Sequence, residues 1–211
     1  IEEISEQFSL KGNFTGYEKI NNGHINSTYN LIFDEDGQVK KYVLQKINTN
    51  VFKNPDYLMS NIVAVTEHIR KKNAESNVDC PERRTLRFFP CLSGKYYYID
   101  SNNECWRTYI YVDNVYTLNA IESAEVFSNA GAAFGEFQNL LSDFDGSSLF
   151  ETIENFHHTA SRFEALKKAI EENKAGRLDE VKDEVEFALH READTHILVD
   201  MIAEGKLPLR V

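Results

Sequence analysis

Two periodicities divide the chain. Between residues 14 and 48 the apolar positions come in short β-forming runs: FTGYEKI at 14–20, TYNLIF at 28–33 and KYVLQKIN at 41–48. These predict three antiparallel strands, the second and third joined by the tight turn Asp34-Glu35-Asp36-Gly37. Asn54 as N-cap and Pro55 at the first helical position then open a helix. Leu58, Ile62, Val65 and Ile69 fall on one stripe of it, at helical spacing. Residues 84–111 return to strand, with YYYID and CWRTYIYV flanking Ser101-Asn102-Asn103 as a hairpin.

From Asn119 the spacing becomes helical. Asn119 with Glu122 has the capping-box pattern, and Phe127, Ala130, Phe134, Phe137 and Leu141 keep one face. Small residues at 130–133 and 135 leave room for close packing on that helix. Ser161 with Glu164 opens a second helix that Gly176 ends. Leu178, Val181, Val185, Ala188 and Leu189 mark a third that Gly205 and Pro208 end. Leu207, Leu209 and Val211 then alternate with Pro208 and Arg210, as a half-buried strand would. A sheet with one helix therefore precedes a helical half. The expected organisation is α+β, with residues 1–112 as one lobe, 113–211 as the other, and the switch near Val112 to Leu118.

Composition narrows the function classes. Apolar residues make up 42% and charged residues 27%, which is ordinary for a globular chain. A net charge of −11 argues against a nucleic-acid or anionic-membrane surface, where phosphates call for clustered Lys and Arg. Arg70-Lys71-Lys72 reads as a helix C-terminus matching its dipole, and Arg83-Arg84 with Arg87 as a solvated loop. No run approaches the roughly 18 apolar residues of a membrane span, and the acidic start Ile1-Glu2-Glu3-Ile4 shows no signal peptide. Cys80, Cys91 and Cys105 are odd in number and far apart. Reduced thiols of a cytoplasmic protein are expected, rather than a disulfide framework or a zinc site.

The segment between the first two strands carries the chemistry. An ordinary hairpin needs about two turn residues, yet Asn21 to Ser27 is longer and rich in donors. Backbone N–H groups flanked by small side chains make an anion-binding concavity. Gly23 permits positive φ, Asn22 or Asn26 tolerates it, and His24, Ser27 and Thr28 add side-chain donors. A polar hairpin without a ligand is the alternative, because a single glycine is a weak signal.

The blocks NNGHINSTYNL, YVLQKIN, VFKNPDYLMSNI, AAFGEFQNLL, ETIENFHHTASRFEAL and GKLPLRV, in this order and spacing, resemble the aminoglycoside-phosphotransferase-like kinases. The likeness is greatest to the N-acetylhexosamine 1-kinase branch and spans nearly the whole chain. It implies a protein-kinase-like two-lobed fold, ATP with Mg²⁺, and phosphoryl transfer to a sugar hydroxyl, first of all C1 of an N-acetylhexosamine. A kinase for another small alcohol, such as an amino sugar or amino alcohol, is one alternative. A non-catalytic nucleotide-binding or pseudokinase module is the other. The resemblance implies that Asn22, Gly23, His24, Ile25, Asn26, Ser27 and Thr28 cover the nucleotide phosphates. It places the catalytic base and the metal ligands after the LPLRV-like strand, beyond Val211. The expectation is thus that residues 1–211 hold no catalytic or metal-binding residue, and that this stretch alone is inactive and prone to self-association.

The resemblance also puts Gln45 where a phosphate-pairing Lys or Arg usually sits, with Lys46 one place later. Strand side chains alternate faces, so only one of the two points at the nucleotide. Charge favours Lys46 and register favours Gln45. Glu67 lies nearly opposite the apolar stripe of its helix and reads as a surface residue, while Asn61 is nearer that stripe. Tyr109 to Val112, including Tyr111 and Val112, is the expected hinge whose backbone bonds adenine. His157 and Arg162 are candidates for the sugar site, with capping or surface roles as the alternative. The pair His157-His158 without a nearby Cys or Asp at ligand spacing is a weak metal signal. No G-x-S-x-G elbow supports a serine hydrolase.

Overall fold

The β-forming runs do become strands, and each pairs antiparallel with its neighbour. A computed structural model describes residues 1–21, 25–76, 78–118 and 120–211. A short helix α1 (Glu2–Ser5) precedes β1 (Asn13–Ile20), β2 (Ser27–Glu35) and β3 (Gln38–Ile47). Helix α2 (Pro55–Glu75) follows, then β4 (Phe88–Phe89), β5 (Tyr98–Ile99) and β6 (Cys105–Ile110). The sheet runs β1-β2-β3-β6-β4, with β5 paired to β6 beside the path. The protein is mixed α+β, built on a six-stranded antiparallel sheet with several helices.

Local chemistry explains the boundaries. Asn54 caps α2 through Oδ1, which accepts from the Tyr57 N–H at 3.1 Å, and Pro55 occupies the first turn as predicted. The strand expected over YYYID shrinks to Tyr98–Ile99. Pro90 supplies no N–H, and Cys91 instead bridges Phe8 and closes a turn with Lys95 and Gly94. The Ser101–Asn103 hairpin holds, because the Asp100 carboxylate accepts from the Asn102 and Glu104 N–H groups, each at 2.9 Å.

Opposed residues share a face of the sheet. Leu31, Phe33, Tyr42, Leu44 and Trp106 form one buried face, covered by Phe8 and by Ile1, Ile4 and Leu10 of the N-terminal segment. Burying a side chain as fully as Leu31 or Leu44 (0% exposed) contributes about 1.5–3 kcal/mol. The opposite face packs Ile47 and Cys105 against Leu58 and Met59 of α2, with Phe88 and Tyr97. The α2 stripe is thus wider than the one predicted, since Met59 joins it. Burial pushes the Cys105 thiol up to about 11.

The residues gather into two compact units. One contains Ile1–Phe144 with Ser148–Thr152 and Val211, the other Asp145–Ser147 with Ile153–Arg210. Helix α3 (Ala124–Leu140) belongs with the sheet, so the units divide after it, whereas the periodicity changes near residue 112. Its N-cap is Ser123, whose hydroxyl accepts from the Val126 N–H at 3.2 Å, and the expected capping residue Asn119 lies outside the described residues. Phe127 and Phe134 of the predicted stripe stand exposed, and the stripe's buried residue is Leu141.

The second unit departs further from the pattern. Helix α4 (Thr159–Glu172) starts before Ser161, because His158 Nδ1 accepts from the Ser161 N–H at 3.1 Å. It ends at Asn173 in the left-handed conformation rather than at Gly176. The single helix expected after Leu178 is broken into α5 (Lys182–Leu189) and α6 (Ile197–Ala203), with 3₁₀ turns at Leu178–Val181 and Glu192–His196. The polar run after Leu189 has no stripe to bury, and the Thr195 hydroxyl turns back onto the Glu192 carbonyl at 2.6 Å. Residues 206–211 form no strand, and Leu209 and Val211 stand exposed. Alternation alone makes a strand only where a second strand supplies ladder partners. No helix among the described residues is long and apolar enough to cross a membrane.

Candidate functional site

One polar row interrupts the helix-facing side of the sheet. Thr28 on β2 lies opposite Gln45 on β3, which lies opposite Arg107 on β6. Gln45 Nε2 donates to Thr28 Oγ1 at 2.9 Å. Gln45 Oε1 accepts from Arg107 Nη2 at 2.7 Å and from Nε at 3.1 Å. The remaining guanidinium nitrogen, Nη1, is 3.8 Å from Met59 Sδ of α2, and the guanidinium stands over the Phe88 ring at 5.7 Å from its centroid. Burial pulls the Arg107 pKa below its ordinary value. Among the described residues no carboxylate pairs with it.

Alternation separates the two strand candidates as expected. Gln45 faces α2, and Lys46 points to the other side of the sheet, opposite Trp106. There the Lys46 ammonium pairs with Glu104 Oε1 at 3.2 Å. It borders a polar cavity of about 290 Å³ together with Ile25, Ser27, Asn48, Thr49, Asn50 and Glu104. Asn26 shapes this corner, because its Oδ1 accepts from the Asn48 N–H at 2.9 Å. Ile25, Asn26, Ser27 and Lys46 therefore gather at one place, and Thr28 and Gln45 at another. Asn22, Gly23 and His24, the centre of the predicted phosphate turn, lie outside the described residues.

The remaining candidates are elsewhere. Glu67 is exposed and bonded to Arg70 at 2.5 Å, the surface role read from the stripe. Asn61 is engaged elsewhere: its amide bonds the backbone of Phe150 in both directions, at 2.7 and 2.9 Å. Tyr111 follows β6 with the Lys41 ammonium 5.5 Å from its ring centroid, and Val112 is half-buried beside it. In the second unit, Phe156 stands between His157 (4.8 Å, edge-on) and the Arg162 guanidinium (5.6 Å), all three exposed at the start of α4. His158, not His157, supplies the cap.

Arg107 was missed in the sequence. Its signal was a lone cation in the middle of CWRTYIYV, on the face that register assigns to Gln45.

No known protein-family model matches the chain. Fold and site together define an α+β protein whose antiparallel sheet carries a hydrogen-bonded Thr-Gln-Arg row toward its long helix. Among the described residues no group of three or more His, Cys, Asp or Glu stands close enough to hold a metal ion.

Proposed function

We propose that the protein is a small-molecule kinase, transferring the ATP γ-phosphoryl group to a sugar hydroxyl, first of all C1 of an N-acetylhexosamine. The observation that carries this reading is the polar row Thr28-Gln45-Arg107 on the helix-facing side of the sheet. The order strand, donor-rich turn, strand, strand, helix supports it, and so does the resemblance of the sequence blocks. A two-lobed protein-kinase-like arrangement belongs to the same proposal. In phosphoryl transfer there is little covalent chemistry for the protein to do, so positioning and charge stabilisation dominate. A sheet face bearing Thr28 and Gln45 offers a hydroxyl and an amide on rigid strands, and the backbone of Tyr111 and Val112 offers partners for an adenine edge.

The test is an acceptor screen with full-length protein, ATP and Mg²⁺, read as ADP release, with the product located by phosphorus NMR. Turnover of N-acetylglucosamine or N-acetylgalactosamine at C1 is expected. Turnover confined to amino sugars or amino alcohols would replace the acceptor class. Nucleotide binding by calorimetry without turnover of any alcohol would make the protein a binding module, and absence of nucleotide binding would remove the kinase reading altogether.

A further inference from the structure

We infer that Arg107 is the cation that pairs with the nucleotide phosphates, reaching the site from β6 while Gln45 on β3 orients it. The inference rests on the kinase reading and adds the identity of the charged group. It begins with an imbalance of charge. A guanidinium cannot shed its proton, and a cation half-buried against the sheet, as Arg107 is, is disfavoured unless a counter-charge meets it. Arg107 is held by a neutral amide, a thioether and an aromatic ring, with no carboxylate among the described residues. An anionic ligand is the missing partner.

The hydrogen bonds also say which part of the fork is free. Nε and one Nη2 hydrogen are spent on the Gln45 oxygen. Nη1 meets only Met59 Sδ, a weak acceptor. The second Nη1–H and the second Nη2–H have no partner among the described residues and remain for a phosphate, which guanidinium binds in the bidentate manner that its planar fork favours.

Gln45 suits this arrangement better than either charged residue would. Thr28 Oγ1 takes the Gln45 NH₂ group, so the amide oxygen is turned toward Arg107. A Glu at this position would neutralise the guanidinium, and a Lys would repel it. The amide fixes its direction and leaves the charge for the ligand. Lys46, the obvious cation by sequence, faces the other way and is paired with Glu104. The competing role for Arg107 is to pin α2 to the sheet through Met59. That role needs the side chain's bulk and not its charge.

The experiment compares ATP, ADP, AMP and adenosine by calorimetry on full-length protein. Wild-type affinity should rise with phosphate number. Arg107→Met should weaken ATP by about tenfold or more while leaving adenosine unchanged. Gln45→Glu should weaken ATP in the same sense, and the double variant Gln45→Lys with Arg107→Met, which moves the cation one strand over, should recover ATP binding. Equal ATP affinity in wild type and Arg107→Met would overturn the inference while leaving the kinase reading intact. Wild-type protein that binds no nucleotide would overturn both. Should Arg107→Met fail to fold, phenylglyoxal labelling of wild type decides: ATP protects Arg107 from modification, as read by peptide mass, and equal labelling with and without ATP refutes its role.

Discussion

The indole N–H of Trp106 donates to Asp100 Oδ2 at 2.9 Å, tying the tip of the β5–β6 hairpin to the strand that leaves it. The same carboxylate holds the Asn102 and Glu104 N–H groups, so one side chain closes the whole turn. Solvent reaches this carboxylate and screens its charge, so Asp100→Ala should cost about 1 kcal/mol, less than bonds to a fully buried charge would. Trp106 is the only tryptophan, so its emission should shift to the red as the turn loosens. Unchanged emission and melting temperature would show that the turn does not depend on Asp100.

The same group sets an acid response. Burial raises the Asp100 pKa, but the donated bonds from Glu104, Trp106 and Asn102 outweigh it and leave it lowered. A depressed folded pKa means that its stabilisation is present above the unfolded carboxylate value of about 3.9 and is lost as pH falls through the folded value. Tryptophan emission followed during acid titration should therefore hold steady until below about pH 4.

The core can be weighed by truncation. Leu44 is fully buried, and Leu44→Ala should cost about 2–5 kcal/mol in denaturant unfolding. Val39, 74% exposed on the same strand, is the control: Val39→Ala should stay within about 0.5 kcal/mol. Similar losses at both positions would mean that the register of β3 is wrong.

Two glycines should differ sharply. Gly12 has φ +91°, and a Cβ there would lie 2.6 Å from the Asp34 carbonyl oxygen. Gly12→Ala should therefore destabilise by more than about 1 kcal/mol. A Cβ at Gly16 meets nothing within 4 Å, and thermal melts should show Gly16→Ala close to wild type.

Thiol chemistry should single out Cys80. It is exposed, whereas Cys91 and Cys105 are buried. A disulfide-exchange reagent should titrate one thiol in the native protein, and Cys80→Ser should abolish that fast phase. Because the folded Cys105 pKa, about 11, lies above the unfolded value near 8.5, folding stability should fall as pH rises between them. Three equally fast thiols in native protein would contradict the burial.

Much of this architecture was legible in the residues. The three β-forming runs, the Asn54-Pro55 helix start, the Ser101–Asn103 turn and the opposite facing of Gln45 and Lys46 follow from local chemistry. Strand alternation, capping and turn formation depend on neighbours a few residues away, so the sequence by itself determines them. Helix ends in the second unit were less legible. His158 is not an ordinary cap, and the polar run after Leu189 could continue a helix or break it, depending on what it packs against.

The candidate site needed the tertiary structure. Thr28, Gln45 and Arg107 come together only because β6 lies beside β3 across more than sixty intervening residues, and no local pattern reports that adjacency. Pairing also decided which cation lost its freedom. Lys46 meets Glu104 on one face, while Arg107 on the other meets a neutral amide. Residue types are written in the sequence, but the sign and partners of a buried charge are set by whatever the fold brings within a few ångströms, where water no longer screens it.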